Sequence, residues 1–168
     1  MKKALILGLL IAVVLTSCKK SEDDGPSTDP QKIGLVGEWY SSGDNVAVLL
    51  STYFGVDSVY AKFETNNTYL VESFADGAKT TYTGTFVQGK SSIGTIWNVT
   101  LNQSSPTAVT SVGIFDISTA TEPYTMQYEV VQTEPNIQQT PPTAEAGFGS
   151  TTGGTLGNVN IQTFVKLP

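Results

Sequence analysis

The sequence predicts an all-β domain: an eight-stranded antiparallel up-and-down barrel with one short helix after the first strand. Three observations carry this. Apolar and polar residues alternate with a period of two along eight separate stretches, the pattern of a strand that buries one face. Most of these stretches are divided by short turn-forming segments, which favours antiparallel neighbours in sequence order. Charge is sparse, 14% of residues, while Thr, Val, Tyr, Ser and Gly suit half-buried strands and the turns between them. A meander left open would expose unpaired edges that invite aggregation, and closure into a barrel removes them.

The elements follow in order. Leu35 to Ser41 is the first strand. Asp44 to Phe54 has apolar residues at Val46, Leu49, Leu50 and Tyr53, a helical spacing, with Asp44 or Asn45 as N-cap. It reads as a short helix or lid, with a strand as the alternative. In Ser58 to Glu64, Val59, Ala61 and Phe63 share one face; the next strand, Thr68 to Phe74, puts Tyr69 and Val71 together. Asp76-Gly77 is a hairpin turn dipeptide. Thr80 to Val87 then returns with Tyr82, Gly84 and Phe86 aligned, and Gly94 to Leu101 aligns Trp97, Val99 and Leu101. After a break at Gln103 to Pro106 come Val109 to Ile117 and Tyr124 to Gln132, the latter with Tyr124, Met126, Tyr128 and Val130 on one face. Val159 to Leu167 closes the chain, with Val159, Ile161, Val165 and Leu167 together. The Pro-, Gly- and Thr-rich stretch from Thr133 to Asn158 is long for a connection inside a compact domain, and reads as a surface crossover or a functional loop.

The N-terminus carries a different message. Met1-Lys2-Lys3 is basic, Ala4 to Thr16 is almost unbroken apolar sequence, and Leu15-Thr16-Ser17-Cys18 ends in the chain's single cysteine. The apolar run is shorter than a membrane span and has the layout of an export signal. Leu15 to Cys18 resembles the lipobox of bacterial lipoproteins. That resemblance implies a signal peptide at 1–17, cleavage before Cys18, and acyl chains on Cys18 that hold the protein to a membrane. The implied location is the bacterial cell envelope, at the outer membrane; acidic residues at Glu22, Asp23 and Asp24 resemble surface-export signals of some Gram-negative lineages, with a plain solvated tether as the alternative reading. Two or more acyl chains make such an anchor stable. Residues 18–32 read as a disordered tether, too polar to offset ordering entropy, and 33–168 as one domain.

The domain itself carries further resemblances. Gly37-Glu38-Trp39 resembles the Gly-x-Trp signature of lipocalins, and Phe63 to Tyr69 and Thr100 to Ala108 resemble phrases of bacterial lipocalin-like lipoproteins. The resemblance implies a lipocalin-like barrel, with Trp39 packed at a closed base and a ligand-binding role. Lipocalins place an arginine near the last strand, over the Trp. This chain has no arginine, so that position falls to Lys166.

Composition excludes several chemistries. Without histidine there is no His-dependent triad, histidine base or His-ligated metal. With Cys18 consumed by the anchor, thiol catalysis and cysteine-rich zinc sites go too. From Cys18 onward seven lysines face fifteen acids, a net charge of −8, which disfavours nucleic acid as a partner. Gly147 to Gly154 lacks the lysine of a phosphate loop. Carboxylates for a hydrolase could come from Glu38, Asp44, Glu72, Asp116, Glu122 and Glu129, yet most occupy polar faces or turns. The expectation is a protein that is not an enzyme and needs no cofactor or metal. Its ligand-binding candidates are Trp39, Phe63, Tyr69, Tyr82, Trp97, Phe115, Met126 and Tyr128, which either fill the core or line a cavity for a small hydrophobic ligand. A protein or glycan partner docking on the 133–158 loop is the alternative.

Overall fold

The computed structural model describes residues 29–168. Cys18, the signal-like segment and most of the tether lie outside the described residues. A single helical turn, α1 (Pro30–Ile33), leads into β1 (Gly37–Ser42). A 3₁₀ turn and the seven-residue helix α2 (Val48–Phe54) follow. Then come β2 (Val56–Phe63), β3 (Thr68–Ala75), β4 (Ala78–Lys90), β5 (Trp97–Ser105), β6 (Val109–Ser118), β7 (Thr125–Glu134) and β8 (Gln162–Lys166). The strands pair in sequence order and β1 pairs with β8, so the barrel is closed. All pairings are antiparallel; at the closing seam Trp39 lies opposite Lys166 and Tyr40 opposite Val165.

The Asp76-Gly77 turn forms as its chemistry requires, with φ of 50° and 76°, and joins β3 to β4. β4 is longer than its alternation suggested because it serves two neighbours at different heights. It pairs with β3 along Ala78 to Thr85 and with β5 along Thr83 to Lys90, the stagger a closed barrel requires. Gly84 sits where the β4–β5 register shifts, and a Cβ there would overlap the Asn102 carbonyl. Gly113 on β6 is in the same position against the Glu129 carbonyl of β7. At both points the backbones approach too closely for any side chain.

Two expectations are corrected. In the last strand the apolar residues Val159, Ile161, Val165 and Leu167 were expected to face inward. Instead Val159 and Ile161 precede β8, and its buried residues are Gln162 and Phe164. The parity is inverted because Gln162 Oε1 accepts a hydrogen bond from the Ala47 amide (3.3 Å) and the Phe164 ring meets Tyr128 edge-on (5.8 Å). The helix begins at Val48, not Asp44, and Ala47 is its N-cap, with no side-chain cap. Asp44 and Asn45 belong to the preceding 3₁₀ turn.

Candidate functional site

Side-chain size divides the barrel interior in two. At the end where β1 starts and β8 finishes, the inward residues are large: Trp39, Phe63, Phe86, Trp97, Phe115, Met126 and Phe164, all buried. Trp97 stacks on Phe115 (5.7 Å) and Phe63 packs edge-on to Phe86 (5.2 Å). Residues 33–36 cross this base and are gripped from three sides. Gln88 accepts from the Leu35 amide and donates to the Ile33 carbonyl, both at 2.8 Å. Trp39 Nε1 donates to the Leu35 carbonyl (2.7 Å), and Lys166 Nζ to the Val36 carbonyl (3.1 Å). The same ammonium lies 4.5 Å from the centre of the Trp39 ring, a cation–π contact. Burial pushes it below the usual lysine range, partly opposed by Glu38. Gly37 is required here: its φ is +126°, and a Cβ would occupy the space of the lysine ammonium.

Toward the other end the inward residues shrink, and the interior opens. β2 passes from Phe63 through Ala61 and Val59 to Val56, and β3 from Tyr69 through Val71 and Ser73 to Ala75. The result is a cavity of about 590 Å³, within the size range of small-molecule sites. Its floor is Phe63, Tyr69 and Phe164; its wall includes Tyr82, Leu101, Tyr128 and Val130. Helix α2 lies at the mouth, where Ala47, Leu50 and Phe54 line the cavity on one helical face, while Val48, Tyr53 and much of Phe54 remain exposed. None of the lining residues is charged. Burial pushes the Tyr69 phenol up to about 12; burial and the neighbouring Tyr69 push Tyr128 higher still. Both are neutral hydrogen-bond donors at neutral pH. A second hollow, lined by Tyr40, Ser58, Tyr60, Glu72 and Phe74, lies on the outer face and is open to solvent.

The segment between β7 and β8 is a strap held against the outside of the barrel. Its anchor is Glu129, an outward residue of β7 that is nonetheless fully buried. The carboxylate accepts from the Gly149 amide (2.6 Å), the Thr151 amide (3.3 Å) and the Thr151 hydroxyl. Both oxygens are thereby satisfied without a cation. The cross-strand partner of Glu129, Ile114, is also buried, as are Ala144 and Thr151 of the strap. Asn160 ties the end of the strap to the interior: its amide donates to the Val130 carbonyl and to Thr151, and it lines the cavity.

The structure therefore separates the eight aromatic and methionine candidates. Phe63, Tyr69, Tyr82 and Tyr128 line the cavity. Trp39, Trp97, Phe115 and Met126 form the packed base, because their bulk closes that end. Gln162, Gln103 and Asn160 on the cavity wall were missed, since a polar residue in a strand ordinarily reads as solvent-facing. Of the six acids, none lines the cavity. Glu38 pairs with Lys62 at 3.5 Å and Glu72 with Lys79 at 2.7 Å, on the outer surface. Asp44 and Glu122 are exposed, Asp116 is half-buried, and Glu129 holds the strap.

The class these features define is a closed eight-stranded barrel, solid at one end and hollow at the other. Comparison of the chain with protein-family models, curated sequences and solved structures finds no match.

Proposed function

We propose that this is a lipid-anchored protein of the bacterial envelope, lipocalin-like in build, that carries a small apolar or amphipathic ligand in the upper half of its barrel. The observation that carries the reading is the cavity of about 590 Å³ under α2. A wall of Val, Leu, Ala and aromatic residues supplies affinity by removing the ligand's apolar surface from water, at roughly 25 cal/mol per Å² before the costs of association. Lys166 over Trp39 supports the lipocalin-like reading, because it occupies the position the family resemblance leaves to it. The lipobox supports the anchor at Cys18, and with it the assignment to the outer membrane. The chain crosses the base at residues 33–36, so the tether joins the closed end and the mouth is at the opposite one.

Native mass spectrometry of the protein purified from its own host tests both parts. The expected spectrum shows acyl mass on Cys18 and a co-purifying small molecule. An unmodified Cys18 contradicts the anchor, and a ligand-free chain that also takes up no hydrophobic probe contradicts the binding role.

A further inference from the structure

The chemistry of the cavity wall narrows the ligand, and this step rests on the binding role proposed above. Gln162 and Tyr128 are direct cross-strand partners on β8 and β7, and both line the cavity. Gln162 is only 5% exposed. Its Oε1 accepts from the Ala47 amide, which can only donate, so the orientation of the side-chain amide is fixed. Its Nε2 is buried with no hydrogen-bond partner. A buried donor left unpaired costs about 1–3 kcal/mol, and native proteins rarely leave one so without reason. On the paired strand Tyr128, neutral at pH 7, lines the same cavity and is a second donor. Two donors carried by paired residues of one cavity wall suit a single carbonyl or ether oxygen.

The wall offers nothing to a charge. No lysine or acid lines it, and Lys166, inward at the base, is committed to Trp39 and the Val36 carbonyl. An ionised carboxylate or ammonium moved into such surroundings without a counter-charge loses its hydration uncompensated. We propose that the cavity selects an uncharged ligand with an apolar body and one hydrogen-bond-accepting head, such as a long-chain amide, ester or ketone, whose oxygen is received by Gln162 Nε2 and Tyr128. Free fatty acids and cationic amphiphiles are excluded by the same wall.

The test is displacement of a hydrophobic dye from the full protein by matched probes: dodecanamide, dodecanoate and dodecane. At about pH 8 the acid is ionised. The amide is expected to bind at least about tenfold tighter than dodecanoate, a difference of about 1.4 kcal/mol. Dodecanoate binding as tightly as the amide overturns this inference and leaves the cavity reading standing. Failure of all three probes to bind overturns both. In Gln162→Met and, separately, Tyr128→Phe, the preference for amide over dodecane is expected to shrink several-fold. An unchanged preference in either folded variant overturns the assignment of the two donors.

Discussion

Trp39 shows how one side chain sets the base of this barrel. It is fully buried, its indole N–H holds the Leu35 carbonyl, and its face receives Lys166. Trp39→Ala removes all three and is expected to cost about 3–5 kcal/mol in urea unfolding. Glu129 works differently. Its removal leaves the Gly149 and Thr151 donors without a partner, so Glu129→Ala is expected to cost about 2–4 kcal/mol. It should also expose the strap to limited proteolysis while the strands stay protected. The tyrosines give a pH signature. Tyr69 has its folded pKa raised to about 12 and Tyr128 further, against 10.0 in the unfolded chain. Below pH 10 both states hold the phenolic protons and stability is unaffected. Above it the unfolded chain ionises first and binds fewer protons, so stability falls as pH rises from about 10 through 12. Phenolate absorbance should show these two residues lagging the exposed tyrosines, and Tyr128→Phe should flatten the alkaline loss.

At the scale of elements, α2 is the least secured. It has seven residues, no side-chain N-cap and no fully buried residue, and isolated helices of that length are marginal. It also carries exposed Val48, Tyr53 and Phe54 at the cavity mouth. Its amides are therefore expected to exchange with solvent much faster than those of β6 and β7, and a bound ligand touching Leu50 and Phe54 should slow them. Exchange in α2 as slow as in the central strands would contradict its role as a cover. The strands were legible in the sequence because alternation, β-propensity and turn residues agreed. Val59, Ala61 and Phe63 fell inward as expected, and Asp76-Gly77 formed its hairpin. β8 was not legible in the same way. Its inward residue Gln162 is polar, and its partner, the Ala47 amide, lies more than a hundred residues away; Lys166 over Trp39 was foreseen only through the family resemblance. No local pattern encodes such a contact. The same holds for Gln88, an ordinary polar residue by sequence that fastens the base.

For the whole molecule, the division into solid base and hollow top follows chiefly from a gradient of side-chain volume along β2, β3 and β4. That gradient was present in the sequence: Phe63, Ala61, Val59 on β2; Tyr69, Val71, Ser73 on β3; Phe86, Gly84, Tyr82, Thr80 on β4, interrupted only by Tyr82. Composition alone could not distinguish filling from lining, because both use the same residues. Trp97, Phe115 and Tyr128 are successive cross-strand partners, yet the first two are packed in the core while Tyr128 also lines the cavity. The charge-free wall belongs to this scale too, since it arises from twenty residues on eight elements and no single strand displays it.

The most direct measurement fills the hollow. Val71 lines the cavity at mid-height, so Val71→Trp places an indole into space that the structure leaves empty. In an already packed interior the added volume would cost about 1–3 kcal/mol or more. The expected result is a variant that unfolds within about 1 kcal/mol of the original protein yet has lost hydrophobic-dye binding by at least about tenfold. Severe destabilisation, or dye binding that persists undiminished, would show that the upper half of the barrel is not the vacant chamber described here.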